Sequence, residues 1–246
     1  MQGTFYGVGV GPGDPELLTL KAIRIIREGD ILVIPVSDKT MRHPVFAETD
    51  TPDIRGWLDN CTAYQIARQA IPGLQEKRKL CIPMPMIKDK ETLKQIHEED
   101  TEALAEYLDR GKDVVFITLG DPAVYSTCLY VHGRMKQRGY DTVLVPGVPS
   151  FCAAAARMDM GLVENKEELH VIPASYGVEE ALHYSGTKVL MKAGSQMPAV
   201  KQAAAEKGME MEMVENCGMP GERIYTSVEE IPDTAGYYSL AIIKDR

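Results

Sequence analysis

Positive charge is in short supply. Of 246 residues, 27 are Lys or Arg and 36 are Asp or Glu, a formal net charge of −9. That balance argues against non-specific binding to nucleic acid or to an anionic membrane, both of which need a positive face. It does not exclude an anionic small substrate, because a pocket can be locally basic. Cysteine is sparse: Cys61, Cys81, Cys128, Cys152 and Cys217 lie far apart. With no C-x-x-C and no Cys/His ligand spacing, a zinc site is not expected, and the five read as buried reduced thiols of a cytoplasmic protein. No apolar run approaches the roughly 20 residues needed to span a bilayer. No basic region followed by an apolar core opens the chain, so no signal peptide is expected. There is no internal repeat, no low-complexity linker, no G-x-x-x-x-G-K-[ST] phosphate loop, and no Ser-His-Asp or Cys-His arrangement.

What is present begins with glycine. Thr4-Phe5-Tyr6-Gly7-Val8-Gly9-Val10-Gly11-Pro12-Gly13-Asp14-Pro15 reads as a buried strand, a tight loop and a helix start. It fails the dinucleotide pattern: from Gly7 or Gly9, the third glycine of G-x-G-x-x-G falls on Pro12 or Asp14. Hydrophobic content of 44% and this length suit one large domain or two small ones without a disulfide or metal staple. Short, apolar, β-branched strand signals lie at Thr4–Val10, Ile31–Val36, Asp113–Leu119 and Thr142–Val145. Asp14 and Pro15 predict a helix N-cap and first helical position. Leu18, Ala22, Ile25 and Ile26 then form one apolar face. Lys88–Arg110 predicts a second helix, with Leu93, Ile96, Leu104, Tyr107 and Leu108 inward. Asp89, Glu91, Glu98, Glu99, Asp100, Glu102 and Glu106 are expected on its solvated face. Apolar strands alternating with helices predict an α/β fold with a parallel sheet covered on both faces.

The pattern breaks at Val145-Pro146-Gly147-Val148-Pro149-Ser150, where a domain boundary is expected. Ser150 opens an alanine-rich helix, Phe151–Met158. Beyond it, strands are predicted at Leu169–Pro173, Thr187–Met191, Glu212–Glu215 and Tyr238–Lys244, with helices at Val178–His183 and Met197–Lys207, a smaller α/β unit with a mixed sheet. Residues 38–62 match no simple pattern and read equally as a lid over a substrate or as a surface excursion.

In open α/β sheets ligands bind beyond the carboxyl ends of the strands. Four loops lie there: Gly11–Asp14, Val36–Pro44, Gly120–Thr127 and Pro146–Ser150. Their glycines and prolines permit close backbone approach to a ligand. Asp121 is either a helix N-cap followed by Pro122 or an acceptor for a ribose or amino group.

These residues carry a resemblance. Gly7-x-Gly9-x-Gly11-Pro12-Gly13-Asp14-Pro15-x-Leu17-Leu18-Thr19-x-Lys21-Ala22 resembles the opening signature of the tetrapyrrole methylases. Gly120-Asp121-Pro122 and Val145-Pro146-Gly147-Val148-x-Ser150 match the next two motifs in order. Val189-Leu190-Met191-Lys192, Val214-Glu215-Asn216-Cys217 and Tyr238-Ser239-Leu240 match the later ones. Leu119-Gly120-Asp121-Pro122-x-x-Tyr125-Ser126-Thr127 and Ser150-Phe151-x-Ala153-Ala154-Ala155-Ala156-Arg157 look like the branch that methylates C-20 of precorrin-2. Uroporphyrinogen-III methyltransferases would show a second glycine before Gly120 and Phe-Gly-Arg near Tyr125. Residues 38–62 depart from the family pattern.

The resemblance implies a two-domain tetrapyrrole methylase fold, 1–147 and 148–246, with S-adenosylmethionine in the cleft between them. By matched motif the cofactor contacts would be Pro12, Gly120, Asp121, Val124, Ser150, Phe151, Met191 and Cys217, with Ser126 and Thr127 on the same rim. The cofactor is a sulfonium carrying an activated methyl group, so the enzyme supplies position rather than a nucleophile. The implied substrate is precorrin-2 or its cobalt form, on the way to a corrin. Its meso carbon attacks the methyl group and its meso proton then leaves. Tyr125, His43 and Asp38 are the candidates to accept that proton, Tyr125 reading first as a pocket wall and second as a catalytic or orienting group. Lys39, Arg42 and Arg157 are expected to meet the macrocycle's carboxylates, and Lys192 could serve either ligand. No protein-bound metal is expected, and a homodimer is expected by resemblance. The rivals are another tetrapyrrole methylase of precorrin-4 or uroporphyrinogen-III type, a nicotinamide-dependent dehydrogenase, and a ligand sensor with a decayed site.

Overall fold

The computed structural model describes residues 1–173 and 178–245. The chain forms two compact units, Met1–Pro149 and Ser150–Arg246.

The first unit holds a six-stranded sheet: β1 (Phe5–Gly9), β2 (Ile31–Val36), β3 (Val45–Ala47), β4 (Lys79–Pro83), β5 (Val114–Thr118) and β6 (Thr142–Val145), in the order β3-β4-β2-β5-β1-β6. All neighbours are parallel except β3, which runs antiparallel on the edge beside β4. The strands' two-residue period divides the core. Leu32, Ile34, Val115 and Ile117 pack on one face with Ala22, Ile25 and Ile26 of α1 (Leu20–Glu28), Ile54 and Leu58 of α2 (Pro52–Asn60), and Tyr64 and Ile66 of α3 (Thr62–Ala70). Ile31, Val33, Val114 and Phe116 pack on the other with Leu104 and Leu108 of α4 (Lys90–Asp109), and Cys128, Val131 and Met135 of α5 (Cys128–Gln137). Strands buried on both faces explain why β2 and β5 read as unbroken apolar runs.

Four sequence expectations change. Asp14 caps only a short 3-10 turn, Pro15–Leu17, accepting the Glu16 N–H at 2.8 Å. Leu18 is extended, and α1 starts after a second cap, Thr19, whose hydroxyl accepts the Ala22 N–H at 3.1 Å. Leu18 nevertheless joins Ala22, Ile25 and Ile26 in the core. Asp100 is fully buried rather than solvated, because α4 packs on α5 as well as on the sheet. Much of 38–62 is regular: it contains β3 and α2. Finally, β3 and β4 went unread, because β3 is three residues long and β4 is bracketed by Lys79 and Pro83.

Lys79 explains its own burial. Its ammonium donates to the carbonyls of Leu74, Gln75 and Lys77 at 3.0, 3.2 and 2.8 Å and pairs with Asp50 at 2.6 Å. Burial pulls its pKa down and Asp50 opposes that.

The second unit opens with α6 (Ser150–Arg157) and holds β7 (Leu169–Pro173), α7 (Val178–Ala181), β8 (Thr187–Met191), α8 (Met197–Glu206), β9 (Glu210–Glu215), β10 (Arg223–Tyr225) and β11 (Ser239–Lys244). The sheet order is β10-β9-β11-β8-β7. Only β7 and β8 are parallel, so the sheet is mixed, and β10 is a strand the sequence reading did not include. Met197, Val200 and Ala204 of α8 cover one face with Leu190, Met213, Ala241 and Ile243. Ala154 and Ala155 of α6 cover the other, with Val189, Val214, Leu240 and Ile242.

Candidate active site

The sheet order places β5, β1 and β6 side by side, so the loops leaving their carboxyl ends meet. Gly11 and Gly120 form a two-bond bridge: the Gly120 N–H donates to the Gly11 carbonyl at 2.8 Å and the Gly11 N–H to the Gly120 carbonyl at 3.2 Å. Gly9 and Gly147 crowd the same carbonyl. A Cβ on Gly9 would lie 2.4 Å from the Gly120 oxygen, and one on Gly147 only 2.2 Å from it. The glycines are therefore required first for loop-to-loop contact, a different reason from the ligand approach inferred from sequence. Thr19 adds a hydrogen bond at 3.4 Å to the Pro146 carbonyl.

Pro12, Gly120, Asp121, Val124, Ser126 and Thr127 all lie on these loops. Pro12 and Gly120 are buried, Asp121, Val124 and Ser126 half-buried, and Thr127 exposed. Asp121 Oδ1 accepts the Ala123 N–H at 2.8 Å and Oδ2 the Gly147 N–H at 3.0 Å. The Ser126 hydroxyl meets Thr118 Oγ1 at 2.8 Å and accepts the Cys128 N–H at 3.1 Å. Both side chains thus organise the loop and the start of α5. Tyr125 is half exposed with φ of +48°, a left-handed conformation rare for a bulky residue. Backbone outliers of this kind cluster where a side chain must be presented in one way.

The loop after β2 carries the other candidates. Asp38 accepts the amide and hydroxyl of Thr40 at 2.8 and 2.7 Å. Those bonds hold its carboxyl below the ordinary value and make it a weak base. Trp57 Nε1 of α2 donates to its other oxygen at 3.4 Å. His43 Nδ1 lies 2.5 Å from Glu99 Oε2 of α4, a histidine oriented by a carboxylate. Lys39 and Arg42 are exposed, and Arg42 Nη1 donates to the Lys39 carbonyl and, at 3.1 Å, to that of Met41.

The second unit gathers its own set. Phe151 of α6, Met191 at the end of β8 and Cys217 after β9 are half-buried and pack on one apolar cluster with Leu240. Ser150 opens α6. Lys192 and Asn216, the residues after β8 and β9, have φ of +60° and +51°. The Lys192 ammonium lies 5.1 Å from the centroid of Tyr237. Ser239, at the start of β11 between those two strand ends, has a buried hydroxyl with no hydrogen-bond partner among the described residues. Arg157 Nε pairs with Glu222 at 2.6 Å. Burial raises the Glu222 carboxyl, but the Gly218 amide and Arg157 outweigh it and hold its pKa low.

Glu99 is exposed, as its sequence pattern predicts, but its pairing with His43, 56 residues away, has no sequence signal. Sequence reading missed the tie from Asp121 to Gly147 for the same reason: a pairing across 26 residues leaves no local pattern. Among the described residues no three potential metal-ligating side chains come together, and no helix is long and apolar enough to cross a membrane.

Comparison with known proteins follows this geometry. The family model described as tetrapyrrole (corrin/porphyrin) methylases matches residues 4–232. A probable cobalt-precorrin-2 C(20)-methyltransferase of Methanocaldococcus jannaschii is 32% identical over 97% of this chain and 95% of its own. The cobalt-precorrin-2 C(20)-methyltransferase of Salmonella typhimurium is 30% identical over 99% of this chain and 97% of its own. Among solved structures, uroporphyrin-III C-methyltransferase from Thermus thermophilus, complexed with S-adenosylhomocysteine, covers 99% of this chain and 98% of its own at 20% identity and a TM-score of 0.66. That likeness concerns the fold.

Proposed function

The chain belongs to the tetrapyrrole (corrin/porphyrin) methylases, and on that premise we propose that it transfers a methyl group from S-adenosylmethionine to C-20 of precorrin-2 or cobalt-precorrin-2 in cobalamin biosynthesis. The observation that carries this reading is similarity over nearly the whole of both chains to two C(20)-methyltransferases. The residues present suit the cofactor. The first unit offers backbone groups of three glycine-bearing loops. The second offers the half-buried apolar side chains of Phe151, Met191 and Cys217 and the Ser239 hydroxyl, which has no hydrogen-bond partner among the described residues.

When bound, S-adenosylmethionine supplies an electrophilic methyl group on a good leaving group. Pro12, Gly120, Val124, Thr127, Ser150, Phe151, Met191 and Cys217 would hold it. Asp121 and Ser126 shape the loop that does so. Holding a methyl group in line with the attacking carbon lowers the barrier by roughly 7–11 kcal/mol, which is why a nucleophilic side chain is not needed. The meso carbon would form the new C–C bond as the methyl–sulfur bond breaks and S-adenosylhomocysteine leaves, and the proton it releases would pass to His43, kept in place by Glu99. Tyr125 orients the macrocycle. Lys39, Arg42 and Arg157 meet its carboxylates. The protein acts as a cytoplasmic homodimer.

Incubation with S-adenosylmethionine and precorrin-2, with and without cobalt, should add one methyl group by mass, at C-20 by carbon NMR of methyl-labelled product. Methylation at another position would place the chain in a different branch of the family, and no methylation of either form would refute the reading.

A further inference from the structure

The loops after β1 and β5 are joined by two backbone hydrogen bonds between Gly11 and Gly120. The loop after β6 is held to them differently. Gly147 lies against the Gly120 carbonyl and the Gly9 backbone with no room for a side chain. Its N–H donates at 3.0 Å to Asp121 Oδ2. Asp121 Oδ1 simultaneously accepts the Ala123 N–H at 2.8 Å, closing an Asx turn that fixes the carboxylate's direction. One carboxylate therefore bridges two loops through two charge-assisted bonds, and both oxygens are occupied.

We propose that Asp121 is a positioning residue of the methyl-transfer site: its carboxylate sets the loop Pro146–Pro149 against the turn Gly120–Val124, and the cofactor meets the backbone groups it holds rather than the carboxylate itself. This rests on the methyltransferase reading. The chemistry selects aspartate. In Asp121→Asn one carboxylate oxygen becomes an NH2 group, so only one of the two N–H donors, Ala123 or Gly147, keeps an acceptor. Asp121→Ala removes both acceptors.

The test uses the full chain and both variants, with three readouts. The first is amide hydrogen exchange at Gly147 and Ala123 without ligand. The second is calorimetric affinity for S-adenosylhomocysteine. The third is affinity for its analogue lacking both ribose hydroxyls. Faster exchange is expected at both amides in Asp121→Ala and at one of the two in Asp121→Asn, with affinity lower by about tenfold or more and by the same factor for both ligands. A direct ribose ligand would instead lose affinity for S-adenosylhomocysteine and none for the deoxy analogue, which overturns the proposal. A purely structural role would lower the melting temperature and leave both affinities intact, which also overturns it. Wild-type protein that binds no S-adenosylhomocysteine overturns the methyltransferase reading and this proposal together. Wild-type binding with unaltered variants overturns this proposal alone.

Discussion

Replacing Asp100 by asparagine should change how the stability of the first unit responds to pH. Both carboxylate oxygens of Asp100 are buried without a hydrogen-bond partner among the described residues, and so is His97 Nδ1, 3.8 Å away. Burial pushes the Asp100 carboxyl from 3.8 up to about 6, with His97 and Arg134 of α5 pulling it down and Glu99 pushing it up. The ring of His97 is stacked on Tyr130 of α5, so the carboxylate sits in the seam between two helices. An acid whose folded pKa is raised holds its proton more tightly in the folded state. Stability therefore falls as pH rises from about 3.8 to about 6 and levels off above. With those two values, ionisation of Asp100 lowers stability by about 3 kcal/mol at pH 8 and by roughly half as much at pH 5. Asparagine is neutral at both, and any offset from burying its amide is the same at both. The stability difference between Asp100→Asn and wild type should then grow by about 1–2 kcal/mol from pH 5 to pH 8, a rise of roughly 0.5–1 M in the urea midpoint for an m of about 2 kcal/mol/M. Trp57, the only tryptophan, lies in α2 of this unit, so its fluorescence follows the relevant transition. Two stability–pH curves that run parallel would refute the reasoning.

Gly147→Ala places a methyl group 2.2 Å from the Gly120 oxygen. It should destabilise the first unit by about 1–3 kcal/mol and weaken S-adenosylhomocysteine binding, both read from thermal melts with and without ligand. Lys79→Met leaves Asp50 with the Tyr64 hydroxyl but no cation and strands three carbonyls, with an expected loss of about 3–5 kcal/mol in urea unfolding. Lys79→Met with Asp50→Asn should recover part of that loss. Tyr125→Gly relieves a left-handed tyrosine and should leave the first unit at least as stable as wild type, the strain being about 1 kcal/mol or more. Methyl transfer should nevertheless fall about 10²-fold, measured by product mass against time.

The fold was legible where burial is two-sided. Ile31–Val36 reads as a strand because both of its faces meet helices, so no polar residue interrupts it. The same logic fails at β4, where Lys79 is buried by satisfying its ammonium with carbonyls and Asp50, a solution no hydropathy pattern contains. It fails again at Asp14. Cap chemistry was read correctly, but a second capping residue five positions on takes over the helix, and local propensity does not rank two caps in succession.

The candidate site was legible in its glycines and silent in its pairings, and one physical cause underlies both. A reaction that needs position and no nucleophile can be built from backbone, and backbone leaves a trace in sequence only where a Cβ is forbidden, as at Gly9 and Gly147. Side chains in such a site act by tying loops together, and a tie such as Asp121 to Gly147 joins residues whose partners are set by sheet order. Aspartate in isolation therefore reads alike at 100 and 121. The first is buried in a helix seam with His97 beside it and no hydrogen-bond partner among the described residues, and the second accepts two amides. Only the order β5-β1-β6 and the packing of α4 on α5 separate them. It follows that substitutions at Asp100 should register in stability and those at Asp121 in cofactor affinity, a division that residue type alone would never predict.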